Sequence, residues 1–259
     1  MRYSILRCSI ISVFINAFLL AAQTSAGIHN PATVPDKANE LVQEEARAVQ
    51  SIDSFAVSHQ VDITSSTSRY NQTTHAYVKT WVQRPGRIRA ESQQYTRSET
   101  IISDGSTTWV YDGGKQTYWK QPGGAPAALF SNAFPGLSHQ LSSPNLPAVI
   151  TSARYAGTES LTIHGRAYLC DIVDVKVAPG ASSSALQDDT LHLWISRDYK
   201  VPFKVEATFV GATPSDLKKY SDYVTDFEPK LAIPASTWTF NPPPDARQRT
   251  ETAAPLTNN

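Results

Sequence analysis

The chain has 259 residues, with 23 basic against 23 acidic side chains and a formal net charge of zero. That balance lacks the global positive field of a non-specific nucleic-acid binder. Two cysteines far apart, Cys8 and Cys170, are too few for a disulfide-stapled scaffold or a cysteine-ligated zinc site. A 41% apolar share with 10% aromatics excludes global disorder, and the length allows one large β domain or two small ones.

The first 26 residues read as an address. Arg2 and Arg7 precede an apolar run over 8–22, which is broken only by Cys8, Ser9, Ser12 and Asn16. Gln23-Thr24-Ser25-Ala26 follows, with small residues where a signal peptidase needs them. The apolar run is short of the roughly 20 residues that span a bilayer, and no cysteine follows the cleavage site to take a lipid. The expectation is an exported product that is soluble after cleavage and begins near Gly27. It would carry 21 basic against 23 acidic residues, and Cys170 as its one thiol.

Residues 27–35 form a Pro-containing lead-in. Asp36 is a helix cap, and Ala38, Leu41, Val42, Ala46, Val49 and Ile52 follow helical spacing, which predicts an amphipathic helix over about 37–51. Glu40, Glu44 and Glu45 suit the positive end of its dipole. Strands dominate from there. Phe55, Val57, His59, Val61 and Ile63 alternate with polar or small residues. A Ser/Thr-rich stretch at 64–74 is expected to turn the chain into a strand over 75–82, which Pro85-Gly86 breaks. A strand over 87–95 follows. Ser103-Asp104-Gly105-Ser106 then marks a tight hairpin between 100–102 and 107–111. A second turn at Asp112-Gly113-Gly114-Lys115 leads into 116–120.

Residues 121–150 interrupt the pattern with several prolines and glycines, yet they hold Leu129, Phe130, Phe134 and Leu137. Two readings stand for this segment: a lid folded back on the sheet, or an irregular crossover that fills the core. Further strands are expected near 150–161, 166–177, 190–196, 201–210, 220–228 and 236–240. Pro202 implies an edge strand or a strand start. Residues 245–259 are expected as a flexible tail. The sum is one α+β domain over 36–244. Its sheet is a strongly bent antiparallel one of about ten or eleven strands, forming an incomplete β-barrel, with the helix and the lid segment over its concave face.

Motifs for chemistry are sparse. There is no Gly-x-Ser-x-Gly elbow, no His-Glu-x-x-His, no P-loop and no dinucleotide fingerprint. The six histidines include no pair within four residues, so neither a metal nor a cofactor is expected. His59 and His75 lie on neighbouring strands and could meet, though such pairs are usually packing. Asp222 and Asp226, four apart, read as lying on one face beside Lys218 and Lys219. Asp188-Asp189 reads as a solvated pair, Ser103-Asp104 as turn residues, and Cys170 as a small buried hydrophobe. No catalytic residue is assigned. Several strands carry apolar residues on both faces with only one good helix to cover them, which points to a cavity for an apolar ligand.

Trp81-Val82-Gln83-Arg84-Pro85, then Ile102-Ser103-Asp104-Gly105 through Trp109-Val110-Tyr111, and finally Trp238-Thr239-Phe240-Asn241-Pro242-Pro243 together resemble the periplasmic lipoprotein carrier family of the Lol type. Leu193-Trp194-Ile195-Ser196-Arg197-Asp198 with Val201-Pro202-Phe203-Lys204 resembles an uncharacterised group of predicted periplasmic proteins with the same fold. The resemblance implies an unclosed barrel that holds acyl chains, a periplasmic location, and Arg84 as the latch of the lid. The Pro-rich middle segment and an inserted loop at 178–189 depart from the carrier pattern.

The functional expectation is therefore a non-enzymatic carrier of lipid or lipoprotein acyl chains. It would be monomeric, would not bind nucleic acid, and would exchange cargo with a membrane-associated donor or acceptor. The candidate lining is Val78, Trp81, Ile88, Trp109, Tyr111, Phe203 and Val205, with the face that points inward left open. A sensor that binds lipoprotein and signals to a membrane partner is the alternative. A hydrolase is disfavoured by the missing motifs.

Overall fold

A computed structural model describes residues 36–66, 70–95, 97–124, 146–178, 186–210 and 217–249. The expected signal peptide at 1–26, the lead-in, and Leu129, Phe130, Phe134 and Leu137 of the expected lid lie outside those residues.

Helix α1 spans Lys37–Ser51, as its spacing predicts. The Asp36 carboxylate caps it, accepting from the Ala38 amide at 3.4 Å. Its buried positions are Ala38, Leu41, Val42, Glu45, Ala46 and Val49, one stripe along the helix. The strands follow in order: β1 (Ser54–Ser66), β2 (Asn71–Gln83), β3 (Arg87–Gln94), β4 (Arg97–Asp104), β5 (Thr107–Asp112) and β6 (Thr117–Pro122). A single helical turn, α2 (Leu146–Val149), precedes β7 (Ile150–Ile163), β8 (Arg166–Val177), β9 (Leu186–Ser196), β10 (Pro202–Val210) and β11 (Leu217–Pro229). A 3₁₀ turn at Ala235–Trp238 and a short strand β12 (Arg247–Gln248) end the described chain.

All twelve strands belong to one sheet in the order β12-β6-β5-β4-β3-β2-β1-β11-β10-β9-β8-β7. Every neighbouring pair is antiparallel except β12 with β6. The sheet is open, with β12 and β7 at its edges, and strongly curved: β7 comes back into contact with β11 across the intervening strands. The incomplete barrel expected from the sequence is the architecture observed.

Several elements differ from the sequence expectation for identifiable reasons. The Ser/Thr stretch at 64–74 does not turn early, because β1 and β2 stay paired out to Ser66 opposite Asn71. Threonine suits a half-exposed strand, and the Thr64 and Thr73 hydroxyls meet across the ladder at 2.8 Å. Pro202 opens β10, an interior strand, as its first residue, the strand-start option. Residues 236–240 are not a strand. That segment lies over β3 and β4, whose ladders are already filled, so the backbone closes on itself: Thr237 N donates to Pro234 O at 3.0 Å and Thr239 N to Ser236 O at 3.2 Å. The expected tail contributes β12, which lies parallel to β6 with Arg247 opposite Thr117.

The Asp-Gly hairpin forms as expected. The positive φ falls on Gly105, at +99°. The Asp104 carboxylate takes the Ser106 and Thr107 amides at 2.7 and 2.8 Å.

Two apolar clusters fill the interior, and α1 contributes to both. Its first turns (Ala38, Leu41, Val42) pack with Val173, Val175, Leu191, Leu193, Val205 and Ala207. Val49, near its end, packs with Phe55, Val57, Val82, Ile88, Ile101 and Phe227. Phe203 is fully buried and lies edge-on to Tyr168 at 5.2 Å and to Phe227 at 5.6 Å. Truncating it leaves a cavity that rigid strands cannot close. Phe203→Ala is expected to lower stability by about 3–5 kcal/mol in urea unfolding, with little change in the slope of the transition.

Candidate functional site

Register assigns the candidate lining residues to faces. Opposed residues share a face of the sheet. Phe55, Val82 and Ile88 are opposed in turn, and they pack with Val49 of α1, so their row faces the helix. Val78 lies on the same side by alternation, and Phe203 and Val205 join the helix clusters. The next row, Ala56, Trp81, Arg89, Ile102 and Trp109, faces the other way. Tyr111 is on that outer side too. The seven candidates therefore divide: Val78, Ile88, Phe203 and Val205 are concave, while Trp81, Trp109 and Tyr111 are convex. The two groups cannot line one cavity.

Of the convex aromatics, Trp109 and Tyr111 are covered by the C-terminal segment, while Trp81 lies beneath the Lys79 and Arg89 side chains. Phe240 stacks near Trp109 at 6.4 Å and lies against Tyr111 and Tyr118 at 6.3 and 5.2 Å. The Arg89 guanidinium donates to the Thr237 carbonyl at 3.3 Å. Trp238, buried beneath this strap, lines a depression of about 270 Å³ with Arg87, Asp104 and Trp109.

Arg84 bonds to the end of helix α1. Its guanidinium donates to the Val49 carbonyl at 2.7 Å and to the Ile52 carbonyl at 3.1 Å. These are backbone acceptors at the helix C-terminus, where carbonyls lack intrahelical partners and the dipole is negative. Burial depresses the Arg84 pKa, and the nearby Asp53 charge offsets part of that.

The opposite end of α1 is held by a cluster that the sequence did not reveal. Asp171, buried within β8, accepts from Arg197 in a bidentate pair at 2.8 and 3.0 Å and from the Tyr155 hydroxyl at 2.9 Å. Lys37, the first helical residue, reaches Asp171 at 3.4 Å, and its ammonium sits 3.4 Å from the centre of the Tyr155 ring. Burial pushes the Asp171 carboxyl up, but the hydrogen bonds from Arg197 and Tyr155 and the positive charges beside it hold it below the usual carboxylate range. Residues 37, 155, 171 and 197 are far apart in sequence, so only the sheet brings them together.

His59 and Asp222 form a second buried pair, Nδ1 to Oδ1 at 2.7 Å, on the helix side of β1 and β11. The Tyr220 hydroxyl donates to the other Asp222 oxygen at 3.1 Å. Burial first, and the Asp222 charge second, push the Tyr220 hydroxyl well above its ordinary range. The sequence reading placed Asp222 and Asp226 on one face, and the structure corrects it. Ser58 opposes Asp226 whereas His59 opposes Val224, so a bulge at Thr225 flips the alternation between them. Asp226 faces outward toward His164 at 3.3 Å. Nor do His59 and His75 meet, since His75 pairs with Asp62 at 2.7 Å.

Cys170 is buried, and burial followed by the Asp171 and Glu159 charges pushes its thiol up to about 12, which suits the inert role expected for it. Among the described residues, no group of three His, Cys, Asp or Glu side chains is placed to hold a metal ion. Glu99 is the most perturbed carboxyl on the sheet. Burial, with the Asp112 charge directly opposite on β5, raises it to about 7, and Lys115 offsets part of that rise.

Against known proteins, residues 38–131 match the family described as predicted periplasmic protein DUF2092. That description agrees with the periplasmic location expected from the sequence. No helix among the described residues is long and apolar enough to cross a membrane. No curated protein matches the chain. Among solved structures it is similar to the MucA/MucB complex of Pseudomonas aeruginosa (15% identity, TM-score 0.42), covering 80% of this chain and 62% of that one. It is also similar to a putative outer membrane lipoprotein-sorting protein domain from Vibrio parahaemolyticus (9% identity, TM-score 0.33), covering 78% of this chain and 96% of that one. A third is the LolA superfamily protein NE2245 of Nitrosomonas europaea (12% identity, TM-score 0.31), with 80% of this chain and 99% of that one covered.

Two outcomes follow from these contacts. Arg84→Ala is expected to cost roughly 1–3 kcal/mol, because two buried carbonyls lose a charged donor. Hydrogen exchange should show it as faster exchange in the last turn of α1, with strand amides protected. For Glu99, a folded-state pKa of about 7 against an ordinary value of 4.5 means that the folded state holds the proton more tightly. That contribution is complete below the unfolded pKa and is lost as pH rises toward 7. Glu99→Gln should flatten the fall in stability between pH 4.5 and 7, by an amount on the order of 2 kcal/mol in urea titrations across that range.

Proposed function

We propose that this protein is a non-enzymatic periplasmic binding or carrier protein for lipid or lipoprotein acyl chains, with the concave face of its curved sheet as the site. The observation that carries this reading is how α1 is held. The helix lies on the apolar concave strands, and polar fasteners grip both of its ends: Arg84 at the C-terminus and the Asp171 cluster at the N-terminus. Polar contacts of this kind exchange with water at small net cost. An acyl chain that replaces the helix stripe gains about 0.8 kcal/mol per buried methylene. Lifting α1 would expose Val82, Ile88, Phe203 and Val205 to such a chain. The expected leader, the periplasmic family match and the carrier-like motifs around Arg84 support the same reading. Segment 121–150, with Leu129, Phe130, Phe134 and Leu137, is proposed as a second part of the cover.

Mass spectrometry of lipid extracted from protein purified from its native envelope tests the proposal, together with titration of a fluorescent fatty-acid probe. Co-purified lipid and saturable probe binding are expected. Arg84→Ala should change the rate of probe uptake or release while the fold is kept. Absence of both lipid and probe binding would sink the carrier reading.

A further inference from the structure

The convex face carries a second feature, remote from the helix. Across β1–β4 a trough of about 350 Å³ runs perpendicular to the strands. Register explains its shape. Ser58, Lys79, Glu91 and Thr100 are opposed in one outward row and form one wall. Tyr77 and Gln93, opposed in the next outward row, form the other. The intervening residue of each strand turns its side chain to the concave side, so its main chain becomes the floor.

The walls restrict what the trough can hold. Their side chains end in polar groups, while the aliphatic stems and the Tyr77 ring make much of the exposed surface apolar, so the trough is amphipathic. Lys79 and Glu91 supply one charge of each sign, so there is no net field to draw a polyanion such as nucleic acid or polyphosphate. Among the described residues the Ser58 and Thr100 hydroxyls make no side-chain hydrogen bond, and each is free to donate and to accept. Gln93 commits its Nε2 to the Tyr95 carbonyl at 2.6 Å, which leaves its amide oxygen as an acceptor. Glu91 Oε1 takes the Arg89 guanidinium at 2.7 Å, so the carboxylate is fixed in orientation. Lys79 is steadied by the Trp81 ring, 4.8 Å from its ammonium. Tyr77 stands at 55% exposure and presents a flat ring edged by these groups.

An exposed aromatic face beside oriented donors and acceptors of no net charge, on rigid strands, matches the chemistry of a sugar ring: apolar C–H faces and a rim of hydroxyls. We infer that the convex trough binds a neutral, polyhydroxylated ligand, a short run of pyranose rings, with one ring stacked on Tyr77 and its hydroxyls met by Glu91, Gln93 and Thr100. The trough is on the face opposite the proposed acyl site, so either reading can fail without the other.

The test is a titration of the ¹⁵N-labelled full chain with N-acetylchitotetraose and, separately, with maltotetraose. The first presents acetamido sugars of the cell-wall type and the second plain hexoses. Saturable shifts in the amides of β1–β4 around Tyr77 are expected with at least one of the two, and the responding sugar identifies the glycan class. Tyr77→Ala should weaken that binding by about tenfold or more, whereas Tyr77→Phe keeps the ring and should stay within about threefold. Equal urea midpoints for both variants show that the fold is intact. Silence from both sugars up to roughly 10 mM, shifts confined to residues that face α1, or a Tyr77→Ala variant that binds as tightly as the parent would each overturn the proposal.

Discussion

One constraint organises this molecule: a twelve-stranded sheet has a single long helix among its described residues with which to cover its apolar face. Helices on both sides would let every strand be apolar throughout. With one helix the sheet must curl around it, so that strands far apart in the order reach the same stripe. The two clusters record that outcome. One end of α1 packs on β8–β10, the other on β1–β5 and β11. Each large apolar side chain so buried contributes about 1.5–3 kcal/mol, and curvature lets six helical positions serve both halves of the sheet. The fold and any function on the concave side thus depend on the same contact.

The polar groups near that contact fall into two kinds. Arg84 and the Asp171 cluster act on the ends of the helix. They complete its termini, where backbone groups lack partners, and they fix its register along the groove. The His59–Asp222–Tyr220 group is part of the concave wall itself. Burying it costs desolvation, and the close hydrogen bonds within it offset that cost. Glu99 and Asp112, opposed on β4 and β5, are a place where the wall tolerates repulsion, and the raised Glu99 pKa is its electrostatic signature. Outside the wall, the C-terminal strap covers Trp109, Tyr111 and Tyr118 and adds β12 to the β6 edge. That edge would otherwise be an unpaired row of amides and carbonyls.

What could be read from the sequence was local. The helix was legible to the residue, because its cap and its apolar spacing are both written in adjacent positions. The Asp104-Gly105 turn was legible because few residues adopt its backbone conformation. Arg84 was picked out by a motif as the latch of the lid segment; the structure shows it bonded to the end of α1, and most of the lid segment lies outside the described residues. The errors arose where a residue's neighbourhood decides its state. Residues 236–240 have a strand-like composition but no open ladder to join. Ser and Thr at 64–66, 73 and 74 look like part of a turn yet continue the β1–β2 ladder, because their partners are aligned to receive them.

The sequence by itself determined most element types and the balance of charge, since these depend on short-range propensity and on composition. The tertiary structure decided which side of each strand is inside. Alternation gives two faces but does not label them, and a single bulge at Thr225 reverses the labels between Asp222 and Asp226. Trp81, Trp109 and Tyr111 were therefore indistinguishable in sequence from Val78 and Ile88. Their assignment to opposite faces came only from the register of β1–β5 and from where α1 and the C-terminal strap lie. The Lys37–Tyr155–Asp171–Arg197 cluster had no sequence signal, because its members come from four separate segments that only the pairing of β7, β8 and β9 and the docking of α1 bring together.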